Sequence, residues 1–461
     1  MSHEMLTYRE DIDGIRAIAV VTVVGYHDFP TLIPGGFIGV DIFFVISGFL
    51  ITGILVREQE RSGRIDLANF YARRVRRLLP ALLAMLLTTL AVGLWRLPAI
   101  GELQLLARST LAALFFASNV FFALQPSGYF AAAPEMFLLL HTWTLAVEEQ
   151  FYIVWPLLIP LSARLADRVH QPRRRALWTL FVAVFVISLI LCGMATAWRP
   201  KFAFYLTPFR TWEFALGAIL SLAVAGVRPT RYPAGAPLAI LGLAAIAIAL
   251  WAFDQDTPFP GWTALVPTIG AALLLGAGAL QPGNAVARMM SLPPIVYIGR
   301  LSYGWYLWHW PVLALVRTEG LGQAHDATIV LAVLLSLGLS AISYHVVEAP
   351  IRRQSWRIFR PTPTSLIAGL AMLSIGAAAA TVTLNYANTT LRESPRLRQI
   401  ASAMKSSDKR PNTPVSCENY QSDFQQLAPA QDCLLGRRDA RRILLLMGDS
   451  HGRHLQPMLD R

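Results

Sequence analysis

Gly39-Val40-Asp41-Ile42-Phe43-Phe44-Val45-Ile46-Ser47-Gly48-Phe49-Leu50-Ile51-Thr52-Gly53-Ile54-Leu55-Val56 carries a single charged residue, Asp41. A run of this apolarity matches the roughly 20 residues a helix needs to cross bilayer hydrocarbon. Similar runs recur from Ile12 almost to Tyr386. The whole chain agrees: of 461 residues, 55% are hydrophobic and 15% charged, and the mean hydropathy is +0.48. Soluble domains carry about 45–50% apolar and about 25% charged residues. A cytosolic enzyme, a secreted disulfide scaffold and a disordered chain are excluded. So is a signal peptide ahead of a soluble domain, because the apolar segments continue.

The segments read as eleven spans, at about 10–28, 36–56, 78–96, 141–163, 177–197, 206–226, 236–253, 262–280, 295–317, 326–347 and 364–386. The net charge of +12 would suit nucleic acid, but the cations cluster between spans, as in Arg73-Arg74-Val75-Arg76-Arg77 and Arg173-Arg174-Arg175. That is the positive-inside pattern, so membrane lipids are the expected partner and nucleic acid is not. With a cytoplasmic N-terminus, inside loops hold about 20 Lys and Arg and outside loops about 5. Eleven crossings then put everything after Tyr386 outside.

Between residues 97 and 140 lies another apolar stretch, Leu103 to Leu124, interrupted by Arg108 and Asn119 and ended by Pro126. A span, an interfacial helix and a re-entrant lid all fit it, and the odd number of crossings requires that it not cross fully. From Ala387 the chain turns polar and reads as a linker, ending in the apolar strand and turn Ile443-Leu444-Leu445-Leu446-Met447-Gly448-Asp449-Ser450-His451. Cys192, inside a span, reads as an inert core thiol. Cys417 and Cys433 are near enough for a short-loop disulfide in an oxidising compartment. No spacing of ligand types suits a metal.

Ionisable groups inside spans are costly, which makes them candidates for function. Arg16 and His27 share one face of the first span, about 16 Å apart by helical rise; the structural alternative is an interfacial anchor and a helix end. Asp41 is an anion placed to orient a facing cation or His. Gly39, Ser47 and Gly48 permit close helix contact, for packing or for substrate access. In the fourth span Thr144, Glu148 and Tyr152 stack on one helical face, beside a second carboxylate, Glu149; the alternative is a structural ion pair. Arg210 and Glu213, at i,i+3, favour a structural pair. His309 sits in an aromatic crowd, Tyr303 to Pro311, that reads mostly as an interfacial belt.

Six motifs in order resemble the acyltransferase-3 family of integral-membrane O-acyltransferases. They are Asp13-Gly14-Ile15-Arg16 with His27, Gly39 to Phe49, Arg73-Arg74 with Arg76-Arg77 and Pro80, Thr144 to Tyr152, Tyr303 to Pro311, and Glu348-Ala349-Pro350 with Arg352-Arg353. The tail is similar to the opening of an SGNH-type hydrolase domain, Gly448-Asp449-Ser450-His451 matching its nucleophile block. The resemblance implies an all-α polytopic membrane protein of the bacterial inner membrane. It has a ten-helix acyltransferase core (1–355), an eleventh helix (356–386), a periplasmic linker (387–440) and the start of an α/β SGNH domain (441–461). Thr144 stands where the family has Ser, which keeps the hydroxyl. The oxyanion donors and Asp-x-x-His of a full SGNH domain do not occur before Arg461, so a relay through Ser450 is expected only where that domain is complete.

By the same resemblance the reaction is transfer of an acyl group, expected to be acetyl, from acyl-CoA to a hydroxyl of a surface polysaccharide such as lipopolysaccharide O-antigen, free or lipid-linked. His27 acts as general base or carries the acyl group, and Arg16 holds the donor or its oxyanion. Glu148 or Glu149 fixes the His tautomer or shuttles the proton. Arg73 and Arg74 bind the CoA phosphates. Asp41, Thr144, Tyr152 and Arg210 complete the substrate site. A glycolipid flippase or proton-coupled transporter is the alternative, since buried carboxylates and His also serve proton relays.

Overall fold

A computed structural model describes residues 8–126, 134–227, 235–319 and 326–399. These residues form helices and turns, with no strand among them. In hydrocarbon each backbone N–H and C=O needs a partner within the chain, and a helix supplies it locally.

Every expected span coincides with a helix. The first three are α1 (Glu10–Asp28), α2 (Gly39–Ser62) and α3 (Leu67–Arg96). Two short helices follow, α4 (Glu102–Leu114) and α5 (Ser118–Ala123), then α6 (Thr142–Arg168) and α7 (Arg173–Trp198). After the short α8 (Pro200–Tyr205) come α9 (Thr211–Val224), α10 (Gly235–Ala252) and α11 (Leu265–Leu280). Then follow α12 (Ala285–Met290), α13 (Pro293–Glu319) and α14 (Asp326–Ile342). A π-helical turn at Ser343–Glu348 leads into α15 (Ala349–Arg352), and α16 (Thr362–Glu393) ends the series. The protein is a multi-pass membrane protein: among the described residues, six helices are long and apolar enough to span. Helices α9 and α11 are apolar but shorter.

Two boundaries differ from the sequence reading. α3 starts at Leu67, where the Asp66 carboxylate caps it by accepting from Asn69 N–H at 3.0 Å. The basic run Arg73–Arg77 is therefore helical rather than a loop. α16 continues past Tyr386 to Glu393, because polar residues end a hydrophobic span without ending a helix. Between residues 97 and 140 the chain breaks after α4, where Phe116 has φ +51°. Neither α4 nor α5 approaches the length of a full crossing.

The described residues among 1–97 and 105–384 form one compact unit. Residues 98–104 and 385–399 form a second, within which the Gln104 amide donates to Asn388 at 2.7 Å.

In the first unit α1 packs along α13, α2 along α9 and α10 along α11. The helix containing α2 is central: 78% of its most apolar window is buried, against 22% for α7 and α16. Peripheral apolar side chains such as Ile187, Leu331 and Ile367 are exposed and face lipid. Gly48 and Gly217 explain the close α2–α9 contact. A Cβ on Gly48 would strike the Phe214 carbonyl, and one on Gly217 the Val45 carbonyl. Phe214 then stacks between Phe44 and Phe151, at centroid distances of 4.6 and 4.3 Å.

Candidate active site

α1, α2, α3, α6 and α13 line a cavity of about 60 Å³, room for a few water molecules. Thr144, Glu148 and Tyr152 reach it together, because residues four apart share a helical face. Glu148 accepts hydrogen bonds from the Ser47 hydroxyl and the Tyr152 phenol. Arg16 enters from α1, its guanidinium 3.4 Å from Asp13. Arg77 enters from α3, and Tyr303 and Tyr306 close the α13 side. A half-buried carboxylate faced by two guanidiniums balances charge that apolar helices alone would not hold.

The arginine run divides around α3, because successive residues on a helix point about 100° apart. Arg77 lines the cavity. Arg74 lies over the rings of Phe70 and Tyr152, at 5.7 and 5.4 Å, with its Nε and Nη1 buried and without a hydrogen-bond partner. Arg76 donates to Ser365 Oγ at 2.9 Å and to the Phe359 carbonyl at 3.3 Å, tying α3 to the start of α16. Arg73 is partly exposed and 3.7 Å from Glu58.

At the far end of α1, His27 Nδ1 lies 3.2 Å from His309 Nε2. His309 Nδ1 in turn lies 2.7 Å from the Tyr306 carbonyl oxygen. The Trp310 ring meets His27 edge-on at 4.8 Å, and the His141 ring meets His309 at 5.6 Å. Arg317 donates to the His27 carbonyl at 2.7 Å, capping α1, and pairs with Glu135 at 3.3 Å. Tyr306 links the two ends of this region. Its side chain lines the cavity while its carbonyl holds His309.

The family model described as an acyltransferase domain matches residues 9–345. The chain belongs to this acyltransferase family. The acyltransferase is 32% identical to O-acetyltransferase OatA of Staphylococcus aureus over 373 residues, 77% of this chain and 59% of that protein. It is 32% identical to putative peptidoglycan O-acetyltransferase YrhL of Bacillus subtilis over 368 residues, 76% of this chain and 56% of that one. It is 30% identical to peptidoglycan O-acetyltransferase OatA of Listeria monocytogenes over 360 residues, again 76% and 56%. It thus spans between half and three-fifths of the length of these relatives. No solved structure matches it.

The acyltransferase's cavity, from Arg16 to Tyr306, falls wholly within the matched region. Of the residues singled out from sequence, Arg16, Thr144, Glu148 and Tyr152 line that cavity, and Arg74 lies against Tyr152. Glu149 does not line it. Asp41 and Arg210 are elsewhere, in a sealed cluster. Arg210 is 3.0 Å from Asp41 and 3.1 Å from Glu213, all at 0–1% exposure and ringed by Phe44, Trp143, Phe204 and Phe259. It is His309, not Glu148 or Glu149, that meets the His27 ring. His309 is 2% exposed, so it is a core residue and not part of an interfacial belt.

Sequence reasoning left out Ser47, Arg77 and Tyr306 as site residues, although all three stood within quoted motifs. Cys192 is buried beside Trp212 and Leu189. Ser450, Cys417 and Cys433 lie outside the described residues.

Proposed function

We propose that this acyltransferase moves an acetyl group from acetyl-CoA to a hydroxyl of a cell-surface glycan. The observation that carries the reading is the pairing of Arg16 and Arg77 with the Glu148–Tyr152–Ser47 cluster around a small cavity inside an apolar bundle. Guanidiniums held here, about 16 Å of helical rise from His27, suit the amide oxygens of the donor's pantetheine arm as it runs toward the reacting carbonyl. Arg74, with unsatisfied donors toward the N-terminal end of α3, suits a CoA phosphate. The partly exposed Arg73 assists at longer range.

The acceptor hydroxyl gives its proton to His27 as its oxygen attacks the acyl carbon. The carbon–sulfur bond then breaks, and the thiolate takes up the proton. The products are a sugar O-acetyl ester and free CoA. With the N-terminus cytoplasmic, Arg74 belongs to the donor side of the bacterial inner membrane and His27 to the acceptor side, as this transfer requires. Two relatives are named for peptidoglycan, which makes peptidoglycan the first acceptor to test. Lipopolysaccharide O-antigen, which the tail's resemblance implies, is the second. Relay through Ser450 belongs to a form whose SGNH domain is complete.

The test is proton NMR of O-acetyl groups in peptidoglycan and lipopolysaccharide from cells carrying the full chain, His27→Ala or an empty vector. Signal that depends on the chain and disappears with His27→Ala is expected. Unchanged acetylation with correctly inserted His27→Ala sinks the mechanism. Transport of unmodified glycolipid without acyl-CoA dependence would replace it with the transporter reading.

A further inference from the structure

His27 and His309 stand 282 residues apart in the chain, yet their ring nitrogens meet. A main-chain carbonyl only accepts hydrogen bonds, so the 2.7 Å contact with Tyr306 O puts the His309 proton on Nδ1. Neutral His309 then presents a bare lone pair at Nε2. The group facing that lone pair at 3.2 Å is His27 Nδ1, which must therefore carry the His27 proton. Cationic rings at both positions would set N–H against N–H.

From this geometry we infer that His309 is a positioning residue: it fixes His27 in the Nδ1–H tautomer, leaving Nε2 as the basic nitrogen. The inference deepens the proposed function and rests on its assignment of His27 as proton acceptor. The anchor is rigid. The Tyr306 hydroxyl donates to the His141 carbonyl at 2.9 Å and accepts from Thr144 at 2.7 Å, and Trp310 packs edge-on against the His27 ring. During transfer the acceptor proton passes to His27 Nε2. The resulting imidazolium keeps its Nδ1–H bonded to His309 until the thiolate removes the Nε2 proton. Without an acceptor at position 309, His27 also populates the tautomer with hydrogen on Nε2, which takes no proton.

The experiment compares wild type, His309→Met, His309→Gln and His27→Ala, each as the full chain in lipid vesicles, by acetyl-CoA-dependent transfer to a glycan acceptor. His309→Met, which keeps bulk without an acceptor, is expected to lower kcat by about 10- to 100-fold while KM for acetyl-CoA stays within about twofold. His309→Gln, whose amide oxygen accepts from Nδ1–H, is expected to recover most of the loss. Wild-type kcat in His309→Met overturns the inference, as does a folded Gln variant no better than Met. Full activity in His27→Ala overturns the proposed role of His27 itself, a separate failure. One measurement needs no His309 variant: nitrogen NMR of histidine-labelled protein in lipid, with His27 signals identified by their loss in His27→Ala. A bare Nε2 and protonated Nδ1 agree with the inference; the reverse overturns it.

Discussion

The Thr144 hydroxyl donates a 2.7 Å hydrogen bond to the Tyr306 phenol, joining α6 to α13 at the wall of the cavity. Thr144→Ser keeps that donor and is expected to retain activity within about twofold. Thr144→Val keeps the shape but removes the bond, worth about 0.5–1.5 kcal/mol net. If the bond positions the reacting groups, transfer falls by about 3- to 10-fold. Initial rates of acetyl transfer for the two variants decide it, and equal rates would show the hydroxyl to be idle.

Glu148 is where cavity charge and hydrogen bonding converge. Glu148→Gln keeps the size, and its amide oxygen can still accept from Ser47 and Tyr152, which both donate to the same Glu148 oxygen, but the negative charge facing Arg16 and Arg77 is lost. Transfer is expected to drop by at least about tenfold, with a smaller loss for Glu149→Gln, which lies off the cavity. Rates normalised to inserted protein give the comparison; equal losses would contradict the separation of the two carboxylates.

Cavity size sets an expectation for the acyl group. About 60 Å³ in a pocket that is not fully enclosed suits the narrow pantetheine and acetyl end of the donor better than a long acyl chain. Each added methylene that a close-fitting pocket rejects is worth about 10-fold or more in rate. Acetyl-CoA is therefore expected to outpace hexanoyl-CoA by well over tenfold. A competition assay read by mass spectrometry of the acylated glycan tests it, and comparable transfer would mean that the donor sits elsewhere.

Arg210→Met removes the guanidinium that Asp41 and Glu213 share at 0–1% exposure. Stranding buried carboxylates costs about 3–5 kcal/mol. The expected result is a large loss of folded protein and a lower Tm in detergent, with Asp41→Asn milder because Glu213 still pairs with Arg210. Stability equal to wild type would show that the cluster is hydrated and not sealed.

Much of this was legible in the residues themselves. The span from Gly39 to Val56 announces a lipid-crossing helix by length and apolarity alone, and Thr144, Glu148 and Tyr152 share a face by helical period alone. The arginines of α3 were not legible in the same way. Four cations in five positions look like one patch, but on a helix they point in different directions. Only the packed neighbours show that Arg77 enters the cavity, Arg74 stacks on Tyr152, Arg76 bonds Ser365 and Arg73 stays outside with Glu58. His309 is not legible for a related reason: an aromatic neighbourhood suits a membrane interface and a packed core equally well.

The sequence by itself determined that this is a multi-pass helical membrane protein, and which of its spans carry groups that lipid should not tolerate. Apolar length and helical period are local properties of consecutive residues, so no neighbour is needed to read them. The tertiary structure alone decided that Asp41 answers Arg210 and not the cavity, and that His27 meets His309. Those pairings join residues 169 and 282 positions apart. They depend on which helices lie side by side and how each is rotated about its axis. That rotation is set by close packing, such as Gly48 against Phe214, and not by any pattern within a single span.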